Sequence, residues 1–167
     1  MTTVLQLTHR LTTRPEAPAI AGATLRHYRG SDDIEVWLDL RRRAFARQKL
    51  GVRDWAAEDF CREFLEKSWW SPEAMWFAEA SSVEGEPPRA VGTITLARRG
   101  EGPGAKPVVH WLAVRPGFRG RGIGRLLLAT LEAAVWDDEG RQVWLETHSA
   151  WAQAARLYIA AGYVPAD

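Results

Sequence analysis

The chain has 167 residues, 46% hydrophobic and 26% charged, the composition of an ordinary globular protein with one sizeable core. Its 22 Lys and Arg against 21 Asp and Glu give a net charge of +1, which excludes the strong field expected for a nucleic-acid or anionic-membrane partner. The single Cys61 excludes an internal disulfide, the four histidines show no metal-ligand spacing, and a reducing cytoplasm is the expected compartment.

The N-terminus lacks the basic start and apolar run of a signal peptide, and no stretch reaches the roughly 20 apolar residues of a membrane span. Residues 1–23 read as an arm: Val4, Leu5 and Leu7 suit a short strand, and Pro15 and Pro18 interrupt it. The domain proper is expected over 24–167. Thr24–Tyr28 reads as a strand, and Ser31 as the N-cap of a helix over 32–46, with Asp32 and Asp33 in its first turn. Its apolar positions Ile34, Trp37, Leu38 and Phe45, with Arg41, follow helical spacing. A loop through Gly51 reaches Asp54, a second N-cap candidate. Ala57, Phe60, Cys61, Phe64 and Leu65 then form one helical stripe, in which Cys61 reads as a buried small hydrophobe.

After Ser71-Pro72 the period changes. Met75–Ala80 and Ala90–Ala97 read as strands joined by a hairpin loop at 81–89. Val108–Val114 is an apolar run broken only by His110, which suits a strand buried on both faces. A helix is expected from about Arg121 to Asp138, stopped by Gly140. A strand over Val143–Thr147 and a helix over Trp151–Ala161, with Gly162 at its C′ position, complete the order β, α, α, β, β, β, α, β, α. Nine tryptophans are present; those inside apolar strands, Trp111 and Trp144, read as packing.

The segment His110-Trp-Leu-Ala-Val-Arg-Pro-Gly-Phe-Arg-Gly-Arg-Gly-Ile-Gly-Arg125 carries the chemistry. A strand feeds a glycine-rich turn that opens a helix, where inward-pointing N–H groups and the helix dipole make an anion nest. Arg119, Arg121 and Arg125 add mobile positive charge, and a pyrophosphate is the expected anion. A P-loop is excluded, because Arg125-Leu126 stands where Lys-Ser/Thr would follow Gly124. A Rossmann dinucleotide site, with Glu146 as its acidic residue, is the runner-up; its third glycine would fall on Arg125.

The Arg119-x-x-Gly122-x-Gly124 spacing resembles the acyl-CoA pyrophosphate motif of the GNAT superfamily of N-acetyltransferases. Leu112-Ala113-Val114-Arg115-Pro116 is similar to the strand before it, and Ala154-x-x-Leu157-Tyr158-x-x-x-Gly162-Tyr163 to the last helix. The resemblance implies an α/β (α+β) single domain, a central mixed but mostly antiparallel sheet flanked by about four helices. It implies acetyl-CoA as acyl donor and an unidentified primary amine, on a small molecule or peptide, as acceptor. Arg119, Gly120, Arg121, Gly122, Ile123, Gly124 and Arg125 are then the pyrophosphate site. Leu112 and Val114 offer backbone groups to the pantetheine arm, and one of those amides polarises the thioester carbonyl. Tyr158 matches the tyrosine that protonates the departing thiolate. His110 stands where a strand histidine of arylalkylamine N-acetyltransferases removes a proton; a core histidine is the competing reading, and Glu146 a further base candidate.

Two departures set expectations. Trp151 stands where the family often has Asn, and typical members continue through two more strands after the Gly-Tyr pair. The arm's Val4–Leu7 is therefore expected to cover an edge or surface, in its own subunit or in a dimer partner. A non-catalytic acyl-CoA-binding domain remains an alternative to the enzyme. Arg47, Lys49 and Arg53, between the first two helices, read as a solvated loop, with an acidic acceptor as the competing reading.

Overall fold

The structure, a computed structural model, describes residues 3–46, 53–149 and 151–167. The expected elements form, with a strand added at each end. They are β1 Val4–Arg10, β2 Ala23–His27, α1 Asp32–Phe45, α2 Ala57–Phe60, β3 Met75–Ala80, β4 Arg89–Arg99, β5 Lys106–Val114, α3 Ile123–Asp137, β6 Gln142–His148, α4 Ala152–Ala160 and β7 Val164–Pro165. The sheet runs β2-β3-β4-β5-β6-β1-β7. Among the described residues β5 and β6 pair in parallel and the other strand pairs are antiparallel. The architecture is therefore the mixed, mostly antiparallel sheet with four helices inferred from the sequence.

Two apolar clusters cover the two faces. On one, Ile123, Leu127, Leu128, Leu131 and Val135 of α3 bury against Val91, Ile94 and Val109, with Tyr158 and Tyr163 at the border. On the other, Trp37, Leu38 and Leu40 of α1 pack with Phe60, Phe64, Met75 and Phe77. Trp37 alone stacks or edges against Trp55, Phe60, Phe64 and Trp111. No helix among the described residues is long and apolar enough to cross a membrane.

Several local expectations are corrected. Ser31 makes no capping bond at α1; instead the Asp33 carboxylate accepts the Arg29 N–H at 2.7 Å and a bidentate pair from Arg26. Nor does Asp54 start the second helix. The Asp59 carboxylate accepts the Ala56 N–H at 2.8 Å and is held ionised by Arg53, so Arg53 has a structural partner. Arg47 and Lys49 lie outside the described residues. The stripe from Ala57 is a short α turn that widens into a π turn over Cys61–Leu65, leaving Cys61 only half-buried. At the end of α3 the left-handed residue is Glu139, φ 63°, not Gly140. Gly140 is required for space instead, since a Cβ there would come 2.5 Å from Val135.

The first strand joins the sheet. Val4–Arg10 pairs along its length with β6, from Val4 opposite His148 to Arg10 opposite Gln142. Leu7 and Leu11 carry it into the core, 5% and 4% exposed. His9 accounts for part of the C-terminal turn: its ring stands where a Cβ on Gly162 (φ +100°) would intrude at 2.7 Å. Behind it, the Tyr163 hydroxyl donates to Glu132 at 3.2 Å, and His9 Nε2 lies 4.0 Å from the same carboxylate. Burial in this apolar surround raises the Glu132 carboxyl to about 7.

Candidate active site

The site begins with a fault in β5. Thr93 of β4 faces Ala113 and Thr95 faces His110, so Ile94 alone opposes both Trp111 and Leu112. This is a β-bulge, and Trp111 takes a left-handed conformation, φ 52°. Such a backbone costs a non-glycine residue about 1–2 kcal/mol. The Trp111 ring offsets that cost by packing against Trp37, Trp55 and Phe45 at 5.0–5.8 Å, with the Arg41 guanidinium 5.1 Å from its face.

The bulge has a consequence for the neighbouring strand. β5 and β6 pair only at Val108–Trp144 and Val109–Leu145. Beyond Val109 they part, and a cleft of 780 Å³ opens between them, a volume typical of small-molecule sites. Leu112 and Val114 line it from β5, Glu146, Thr147 and His148 from β6, and Ala154, Leu157 and Tyr158 from α4.

At the far end stands the glycine-rich turn. Gly120 and Gly122 have φ of +76° and +86°, which only glycine adopts without strain. Gly122 is the N-cap of α3 and makes no side-chain cap bond, so the first N–H groups of α3 face the cleft end without intrahelical partners. Leu126 donates the first bond back to Gly122, at 2.9 Å. Gly124 lines the cleft at the second position of α3. It lies within α3, where a Cβ would press on Leu157 at 3.0 Å, so it lets α3 and α4 approach. Arg119 donates to the Ala44 carbonyl at 2.7 Å, tying the turn to the end of α1. Arg121 lies over the Phe118 ring at 4.9 Å, and Arg125 is exposed at the cleft wall.

The two catalytic candidates face the same cleft. Tyr158 is 6% exposed, and burial raises its hydroxyl pKa, so it keeps its proton at neutral pH. His110 packs against Phe64, Trp69 and Trp111. Burial, with Arg99 and Lys67 adding like charge, pushes it down to about 4, so the imidazole is neutral and able to accept a proton. Glu146 is engaged by Arg99 at 2.7 Å. Trp151, at the N-cap of α4, directs a buried Nε1 that has no partner among the described residues; Thr147 Oγ1 is in the same condition. Both residues line the cleft. Sequence reasoning did not find Phe45, Thr147 or His148, which line the cleft but belong to no motif.

Residues 34–163 match the Acetyltransferase (GNAT) family. The chain belongs to that family. The match agrees with the acyltransferase class and acyl-CoA donor read from the sequence, and it displaces the dinucleotide-binding alternative. This GNAT domain is 34% identical over 161 residues to a mycothiol acetyltransferase of Thermobispora bispora, covering 92% of the chain and 50% of that protein. Its fold matches a GCN5-related N-acetyltransferase of Sphaerobacter thermophilus at a TM-score of 0.75 and 24% identity, covering 98% of this chain and 48% of the other. It also matches an acetyltransferase of Clostridium acetobutylicum solved with acetyl-CoA, at a TM-score of 0.67 and 18% identity, with 87% and 92% covered. The chain spans about half the length of the first two relatives.

Proposed function

We propose that this GNAT domain moves an acetyl group from acetyl-CoA to a primary amine of a small molecule or peptide, by direct attack in a ternary complex in the cytoplasm. The observation that carries this reading is the parting of β5 and β6 at the Trp111 bulge, which opens a cleft ending on the uncapped N-terminus of α3. The N–H groups from Gly120 to Arg125, with the Arg121 and Arg125 side chains, hold the pyrophosphate. The backbone of Leu112 and Val114, freed from β6, holds the pantetheine arm as an added strand would. Acetyl-CoA supplies the activated acyl group. Tyr158 keeps a proton for the leaving sulfur, and neutral His110 takes one from the amine. Most of the remaining acceleration comes from fixing both substrates on one surface.

The likeness to mycothiol acetyltransferase supports the amine side of this reading and chooses where to look first. The test is a screen for coenzyme A release over a panel of amines that starts with the acceptor of mycothiol acetyltransferases. Release that depends on one class of amine supports the transferase. Acetyl-CoA binding with no release over the whole panel favours a non-catalytic acyl-CoA-binding domain.

A further inference from the structure

On the side of the sheet that carries α1, the cleft is lined by aromatic rings. Phe45, the last residue of α1, lines the cleft. Its ring lies 5.8 Å from Trp111 of β5, edge-on at 71°, and 5.4 Å from Trp151 at the start of α4, tilted at 34°. The outer rings are themselves backed. Trp55 and Trp37 lie 5.0 and 5.8 Å behind Trp111, and His148 of β6 lies 4.7 Å behind Trp151. One row of aromatic rings thus bridges β5 to β6 and α4, and its three central members are half-buried and line the cleft.

The order of residues along the cleft gives the row its meaning. From the α3 N-terminus inward, the wall of β5 presents Val114, then Leu112, then Trp111. A thioester whose pyrophosphate rests on Gly120–Arg125 and whose pantetheine follows Val114 and Leu112 carries its acyl chain last, toward Trp111. We propose that the Phe45–Trp111–Trp151 row is the acyl-length limit of this site, and that Phe45 sets it. The inference rests on the acyl-CoA reading above. Trp111 is wedged by its neighbours and by its own left-handed backbone. Phe45 sits at a helix end with a ring on either side, and is the member whose removal breaks the row. A two-carbon acyl group stops short of the rings. Each further methylene must displace an aromatic contact or leave the cleft for water, and so loses the gain that burial would otherwise bring.

The experiment is a calorimetric titration of the full chain with coenzyme A, acetyl-CoA, butyryl-CoA and hexanoyl-CoA, which needs no knowledge of the acceptor. The wild type is expected to bind hexanoyl-CoA at least about tenfold more weakly than acetyl-CoA. Phe45→Ala is expected to bring that ratio to about threefold or less, the ratio being taken within each protein so that a change common to both thioesters cancels. Should Phe45→Ala not fold, Phe45→Leu shortens the ring's reach while keeping an apolar helix end, and the same change in ratio is expected from it. A wild type that binds all three thioesters equally, or a ratio that neither variant moves, overturns the length limit. Absence of coenzyme A and acetyl-CoA binding by the wild type overturns the acyl-CoA reading itself.

Discussion

Glu132 offers the most direct test of how this fold is held at its C-terminal turn. The residue is 5% exposed, and its carboxyl accepts one hydrogen bond from Tyr163 and is held up at about 7 by burial. The unfolded chain returns it to its ordinary value of 4.5. Between those two values the folded state binds the extra proton, so stability falls as pH rises through this window and levels off above about 7. At about 1.4 kcal/mol for each pH unit, the loss reaches about 3 kcal/mol. Glu132→Gln keeps an oxygen for the Tyr163 hydroxyl and has nothing to titrate. Urea unfolding of both proteins at about pH 5 and about pH 8.5 is expected to shift their difference by about 3 kcal/mol in favour of the variant. For a domain of this size that corresponds to a relative Tm gain of about 6–12 °C. His9 Nε2 lies 4.0 Å from the same carboxylate, so the comparison is repeated in a His9→Gln background. Parallel pH dependences of the two proteins in both backgrounds would refute the reasoning, because the carboxyl would then titrate alike in the folded and unfolded chain.

Other outcomes follow from the cleft and the core. Acetyl-CoA at a hundred times its Kd is expected to stabilise the protein by about 2.7 kcal/mol. Gly120→Asp, at a position where a Cβ meets nothing and φ is +76°, is expected to remove that stabilisation in a thermal melt by placing an anion in the nest. Tyr158→Phe is expected to lower kcat at least about tenfold with the acetyl-CoA Kd unchanged, as loss of a proton donor to the leaving group requires. Because His110 titrates at about 4, His110→Ala is expected to lower the plateau rate near neutral pH by roughly a hundredfold and to abolish the limb that falls away as pH drops through about 4. Leu7→Ala, at a 5% exposed position of β1, is expected to cost about 2–5 kcal/mol in urea unfolding.

Much of this arrangement is legible in the sequence wherever a local pattern has one physical explanation. Apolar positions at helical spacing mark α1 and α3. Glycines alternating with arginines after a buried strand mark the turn that opens α3, with positive φ at Gly120 and Gly122. Where two neighbouring residues can do one job, the sequence does not choose between them. Ser31 and Asp33 both suit the start of α1, and Asp33 wins because Arg26 and the Arg29 N–H converge on it. The role of β1 is hidden for a different reason. Its partners lie about 140 residues away in β6, and Pro15 and Pro18 lend the segment the look of a loose arm.

The bulge is the least visible feature and the one on which the site depends. Nothing in the composition of Val108–Val114 marks Trp111 for positive φ, since tryptophan in an apolar strand ordinarily signals packing. The signal is spread over five residues from three places in the chain: Trp37, Arg41 and Phe45 of α1, Trp55 ahead of α2, and Trp151 at the start of α4. The high tryptophan content therefore has a mechanical reading. A strained turn of backbone in mid-strand survives only if the side chain on it is held from several directions, and large flat rings do this with the fewest residues. His110 is explained by the same fault. With one extra residue in β5, its ring and that of Trp111, neighbours in sequence, meet at 6.1 Å. The histidine that breaks an apolar strand thereby lines the cleft with its imidazole neutral.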